Sequence, residues 1–227
     1  MSTEGSSHAG TVADLALDDV ALIRIQQPAV PSSYRLVCFP DLPDAGNSSV
    51  CYLAMAELLL PTVELLIVQY PLVHADDPKP PGNCPGLADK IYDAVLDWTD
   101  RPLALFGHRL GAELAYGVAQ RLERETETGP LTLFVSGRPG PGHRGFLGPP
   151  ALRCRVVALT GDHDPQAPLP GVRAWRRCTA GPFDLEVFPG APGYLDSHRR
   201  EVVNLVHDQL ISLHGPEPDR AAPKQGA

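Results

Sequence analysis

The 227-residue chain lacks any apolar run of membrane-spanning length, and its 20% charged residues are spread throughout. That excludes a bilayer-spanning helix. The opening MSTEGSSHAGTVADLALDD has neither a basic leader nor a continuous apolar stretch, so no secretory signal is expected and the chain is expected to stay in the cytoplasm. The five cysteines, Cys38, Cys51, Cys84, Cys154 and Cys178, are odd in number and contain no CxxC pair. Reduced thiols, no disulfide framework and no metal site follow. Basic residues are outnumbered, with a net charge of −8, which argues against nucleic acid as a partner, because phosphate binding needs a basic footprint. Arginine far exceeds lysine, and Arg153, Arg155, Arg173, Arg176, Arg177, Arg199 and Arg200 gather in the C-terminal third. They make either a local basic face or ordinary solvated surface.

What the chain does have is a regular alternation of apolar runs and amphipathic stretches. Arg35 to Pro40, Val63 to Pro71, Leu103 to Gly107, Leu131 to Gly137, Arg155 to Gly161 and Phe183 to Gly190 are short, rich in β-branched residues or leucine, and bounded by turns. Each reads as a buried parallel strand. Val50 to Leu60 and Leu110 to Arg124 read as helices, as does the stripe Leu87, Ile91, Val95 and Trp98. A shorter helix is expected over Val172 to Cys178, and Val202, Val203, Val206, Leu210 and Leu213 stripe the last. The βαβα order implies an α/β fold, a doubly wound, mostly parallel sheet with helices on both faces. One domain is expected over residues 21–214, between a mobile N-terminal segment, 1–20, and a mobile tail, 215–227. Arg138 to Pro150 is too rich in proline and glycine for a helix, so only a loop joins the fourth and fifth of these strands.

In an open parallel sheet, ligands bind beyond the carboxyl ends of the strands. There the third strand runs into FGHRLGAELAY, where Gly107, Arg109 and Gly111 have the spacing of a G-x-S-x-G nucleophile elbow. The middle residue is arginine.

Here the sequence resembles a known family. RLVCFPDLPDAG, LLIVQYPLV, LALFGHRLGAELAY, LFVSGR, VVALTGDHDP and VFPGAPGYL occur in order. They look like the LVCFPHAGG-like, VQYPG-like, ALFGHSMG-like, TGD-x-DP and FPGGHFYL-like signatures of the type II thioesterases of polyketide and nonribosomal peptide assembly. That resemblance implies an α/β-hydrolase fold and a carrier-protein acyl thioester as substrate, with the phosphopantetheine arm of an acyl or peptidyl carrier protein as its handle. It implies no cofactor of the chain's own. The departures fall where the family does its chemistry. Arg109 replaces the nucleophilic serine, Pro192 aligns with the catalytic histidine, and Asp164 alone matches the triad. A guanidinium cannot form an acyl-enzyme. Asp41, Leu42 and Pro43 stand in place of the loop that offers an oxyanion N–H, and Pro43 has none. The family's helical lid of several tens of residues is missing between the fourth and fifth strands.

Two readings of Arg109 follow, and they are compatible. It makes an anion-binding spot at a helix N-terminus, or it pairs with Asp164 across the vacated triad. The Leu110 and Leu42 backbone N–H groups are expected to remain as oxyanion donors, and His108, Asp41 and Tyr194 to line the substrate site. His143, His163 and His198 are candidate replacement bases, each also readable as merely exposed. Two functions are weighed, the first being the expected one and the second its alternative. One is transfer of the acyl group to an acceptor, a peptide or small molecule, without a serine intermediate, driven by positioning and polarisation. The other is a non-catalytic protein that binds a carrier protein or pathway enzyme.

Overall fold

The computed structural model describes residues 20–26, 28–41, 48–70, 86–141, 152–190 and 193–211. Seven strands form one sheet: β1 Ala21–Arg24, β2 Tyr34–Phe39, β3 Val63–Gln69, β4 Leu103–His108, β5 Thr132–Ser136, β6 Arg155–Gly161 and β7 Phe183–Phe188. Their spatial order is β1-β3-β2-β4-β5-β6-β7. All neighbours are parallel except β1, which runs antiparallel along β3 with Ala21 opposite Gln69. The helices are α1 Ser48–Leu59, α2 Leu87–Leu96, α3 Leu110–Glu125, α4 Leu169–Arg173, α5 Tyr194–Ser197 and α6 Arg199–Ile211, with a 3₁₀ segment, Ala174–Cys178, continuing α4.

The strands are apolar on both faces because helices cover both. In β2, Val37 and Phe39 face a core that includes Ile91, Val95, Ala115 and Val118 of α2 and α3. Leu36 and Cys38, one residue out of step, face Tyr52, Met55 and Val206 of α1 and α6. This period-two division puts the β4–α3 junction at the middle of the sheet.

The six expected strands are all present. β1 was not expected. Its four residues are too short to carry a period, and their partner lies more than forty positions on. α2 ends at Leu96, so Trp98 stands in the following turn instead of on the helical stripe. Its ring lies under two guanidinium groups, with Arg24 Cζ at 5.1 Å and Arg35 Cζ at 5.0 Å from the centroid. The short helix expected from Val172 begins earlier, at Leu169, and tightens to 3₁₀ geometry at Ala174. The expectations placed on residues 1–19 and 212–227, Leu213 included, lie outside the described residues. Among the described residues no helix is long and apolar enough to cross a membrane.

Far from the carboxyl ends, a buried charge fastens the opposite end of the sheet. Glu64, 1% exposed, accepts from Arg35 Nε at 2.9 Å across the β2–β3 register and lies 2.5 Å from Arg24 Nε. Arg35 also donates to the Trp98 carbonyl at 2.8 Å and to Asp100. Removing one partner of such a group leaves the other buried and uncompensated. Glu64→Ala is therefore expected to destabilise the fold by about 3–5 kcal/mol, and Arg24→Ala, at the half-exposed edge, by much less. Urea unfolding of the two variants beside wild type measures both.

Candidate active site

Everything at the carboxyl ends is arranged around the turn from β4 into α3. Arg109 sits at its apex with φ 53° and ψ −120°, the one non-glycine residue with positive φ among those described. An L-residue holds that conformation only where surrounding packing over-determines it. The packing is visible on both sides. A Cβ on Gly107 would meet Ala112 Cα at 2.4 Å, and one on Gly111 would meet the Phe39 carbonyl oxygen at 2.1 Å. The two glycines let α3 press against β4 and β2, and Arg109 is left at the crest, its N–H donating to the Ser136 carbonyl at 2.8 Å.

The Arg109 side chain turns toward the ends of β5 and β6. Nη1 donates to the Gly137 carbonyl at 2.9 Å and reaches Asp164 Oδ1 at 3.4 Å, while Nη2 lies 2.9 Å from Asp164 Oδ2. Asp164 Oδ2 has no partner with hydrogen-bond geometry, so that contact is electrostatic. Asp164 Oδ1 also accepts the Gln166 N–H at 3.0 Å. Arg109 is 9% exposed and Asp164 3%. The pairing across the triad position is present, and the guanidinium is not presented to solvent as a free anion site.

The Leu110 N–H, expected to stand open for an oxyanion, instead donates to Asp41 Oδ1 at 3.3 Å. Asp41 is half-buried at the end of β2. A carboxylate thus occupies the N-terminus of α3, where the helix dipole and the orphan N–H groups favour negative charge. Leu42, the second expected donor, lies outside the described residues, as do Pro43, Cys84, His143 and Pro192.

His108 and Tyr194 are brought together by a residue that sequence reasoning passed over. His108 Nδ1 lies 2.8 Å from Ser136 Oγ, and Ser136 Oγ lies 2.5 Å from the Tyr194 hydroxyl. A chain running in either direction satisfies all three groups. The signal was the serine closing LFVSGR, a polar residue at the carboxyl end of a buried strand. A serine in contact with an imidazole is the geometry of an activated nucleophile, but Ser136 is fully buried and Tyr194 is 1% exposed, stacked on Phe188 with centroids 5.1 Å apart. Tyr194 is accordingly buried behind the elbow. Burial, with the Arg109 charge adding to it, lowers the His108 pKa to about 4, so the ring is neutral at physiological pH.

The remaining candidates do not converge on the elbow. His163 is exposed and pairs with Asp162 at 2.6 Å, and His198 packs edge-on against Phe188 at 5.9 Å. Cys38 is fully buried and its thiol is pushed well above its ordinary pKa. Burial raises the Cys51 thiol to about 11, and that thiol donates to the Leu195 carbonyl at 3.6 Å. Neither is a thiolate nucleophile. Among the described residues no three metal-ligating side chains gather. Beside the ion pair, the lining of a groove of about 480 Å³ includes Glu113, Arg138, Gly140, Pro165, Gln166 and Pro168.

A strained elbow between the fourth strand and the third helix, facing an acid after the sixth strand, coincides with a direct match. A thioesterase-domain profile fits residues 34–147, and the thioesterase PikA5 of Streptomyces venezuelae is 33% identical over 88% of this chain and 89% of its own. The chain belongs to the thioesterase family. A probable cadicidin biosynthesis thioesterase of Streptomyces griseus is also 33% identical, over 91% of this chain and 69% of that one. Among solved structures, the type II thioesterase BorB from the borrelidin biosynthetic cluster superposes with a TM-score of 0.69 at 27% identity, covering 84% of this chain and 98% of that one. The thioesterase RedJ from the prodiginine pathway of Streptomyces coelicolor gives 0.67 at 26%, covering 81% and 90%. The fold is that of the α/β-hydrolases, as expected. The alignment with PikA5 extends over 257 positions although this chain has only 227 residues, so the relative holds stretches that this chain lacks. Residues 137–154 are the whole connection between β5 and β6, too short for a helical lid of several tens of residues.

The buried imidazole makes the stability of this protein depend on pH. The unfolded ring protonates near 6.5 and the folded one only near pH 4. The folded state therefore binds fewer protons between those values, and loses stability as pH falls from 6.5 to 4. The loss is on the order of 3 kcal/mol. His108→Asn, which keeps a polar atom toward Ser136 but cannot titrate, should flatten the slope of unfolding free energy against pH across that window. An unchanged slope would assign the acid sensitivity elsewhere.

Proposed function

We propose that this protein serves polyketide or nonribosomal peptide assembly by binding a carrier protein and the acyl thioester on its phosphopantetheine arm, without forming a serine acyl-enzyme and without turning the thioester over. The observation that carries this reading is the ion pair seated at the elbow. The apex where a serine would attack holds Arg109, and its guanidinium is committed to Asp164 and the Gly137 carbonyl. The neighbouring donor that would stabilise an oxyanion, the Leu110 N–H, is committed to Asp41.

Acyl transfer to an acceptor peptide, the other reading open from the sequence, needs those same two groups to polarise the thioester carbonyl. Both would first have to leave buried or half-buried carboxylate partners. Their internal pairing therefore favours binding over transfer. The names of the relatives point to carrier-dependent biosynthesis as the setting: PikA5 is a thioesterase, and BorB is a type II thioesterase from a borrelidin biosynthetic cluster. A hydrolytic reading has one specific observation in its favour, the Ser136–His108 contact, and complete burial of Ser136 against it.

An acyl-loaded carrier protein incubated with the protein, with and without acceptor peptides, separates these readings by mass spectrometry. The expected result is retention of the acyl group at the rate seen in buffer, together with measurable carrier binding by calorimetry. Acceptor-dependent transfer lost in Arg109→Ala would overturn the binding reading in favour of transfer. Hydrolysis lost in Ser136→Ala would overturn it in favour of a displaced nucleophile. Arg109→Ser alone should not create hydrolysis, because Pro192 supplies no base to activate the hydroxyl.

A further inference from the structure

Arginines at 173, 176 and 177 follow the spacing i, i+3, i+4 along α4 and its 3₁₀ continuation. Val172, Trp175 and Cys178, between and beside them, are buried, so the three cations are all turned outward and all exposed. Among the described residues none of the three is paired with a carboxylate, whereas Arg121, Arg138, Arg153 and Arg155 each are. Arg176 donates only to the Thr179 carbonyl, at 3.1 Å. On a protein of net charge −8, three neighbouring unneutralised guanidinium groups are a local reversal of the overall field.

The array is held firmly. Trp175 is fully buried and its indole N–H donates to the Arg138 carbonyl at 2.9 Å. The Gly140 N–H donates to the Gly171 carbonyl at 3.0 Å, and a Cβ on Gly140 would meet Trp175 N at 2.6 Å. The helical segment is thus pinned to residues 138–140, which form one wall of the 480 Å³ groove, with Pro168 at its own start forming another part. Gln166, in the same lining, donates to Asp164 of the ion pair. Arg173 lies five residues beyond Pro168, and Arg176 and Arg177 follow toward the start of β6, where Thr179 bridges Leu152.

We infer that the Arg173, Arg176 and Arg177 face is the docking surface for an acidic face of the carrier protein. This rests on the carrier-binding reading given above. On a chain of net negative charge, three neighbouring exposed arginines without a carboxylate partner among the described residues set where and in what orientation that partner lands. Such contacts are made by the folded carrier itself, not by its arm.

The test is titration of a purified polyketide-synthase acyl carrier protein in its apo form, which has no phosphopantetheine, into wild type and into the double variant Arg173→Glu/Arg177→Glu. These two side chains make no internal bond among the described residues, and circular dichroism with thermal melting verifies that the variant is folded. The Kd is expected to rise by about tenfold or more in the double variant, and wild-type binding to weaken as salt is raised. Arg124→Glu, reversing an exposed arginine on α3, should leave the Kd unchanged. Wild-type binding that the double variant does not weaken would overturn the docking surface and leave carrier binding intact. Equal weakening by Arg124→Glu would reduce the effect to overall charge and overturn the surface as a site. Failure of wild type to bind either the apo or the phosphopantetheinylated carrier would overturn the carrier-binding reading itself.

Discussion

A cation fixed at the positive end of a helix is an unfavourable arrangement, and the carboxyl end of this sheet is built to compensate it. Arg109 stands at the N-cap of α3, where the macrodipole and the unsatisfied N–H groups already carry partial positive charge. Two carboxylates answer it from different strands: Asp164, after β6, on the guanidinium, and Asp41, after β2, on the Leu110 N–H. Each charge is costly to bury alone and tolerable in company. The arrangement is therefore mutually dependent, and it engages both the Arg109 guanidinium and the Leu110 N–H.

Behind that charge cluster the structure is stiff. The backbone at Arg109 is kept in a sparsely populated conformation by glycines packed against the β2 and α3 backbones. His108 is held neutral by its burial, and the hydrogen-bonded series His108, Ser136, Tyr194 closes the space between β4, β5 and α5. A neutral ring there avoids placing a second cation next to Arg109. The groove that opens beside the pair is rimmed by prolines, among them Pro165 and Pro168, and by the Glu113–Arg138 ion pair.

Most of the architecture was legible because buried parallel strands and amphipathic helices announce themselves locally. The six long strands, α1, α2, α3 and α6 follow from apolar runs and from stripes such as Leu87, Ile91 and Val95. What was not legible was short or dependent on distant partners. β1 is four residues paired antiparallel at an edge, α5 is four residues, and Trp98 left the helical stripe to lie under two guanidiniums that arrive from β1 and β2. Ser136 gave only one polar letter at the end of an apolar run, and its role appears only when His108 and Tyr194 fold against it.

The amino-acid sequence by itself determined the family, the order of the elements and the arginine at the elbow, since a glycine-flanked arginine after a buried strand is a local pattern set by residue type. Only the tertiary structure decided that the two polarising groups left at the elbow are already occupied. Arg109 meets Asp164 across 55 positions of chain, and Leu110 meets Asp41 across 69. Contacts of that range depend on how β2, β4 and β6 are laid side by side. The motifs allowed the Arg109–Asp164 pair as one of two readings and gave no sign of the Leu110–Asp41 contact, so the choice between an open anion site and a closed ion pair is made only in the folded molecule.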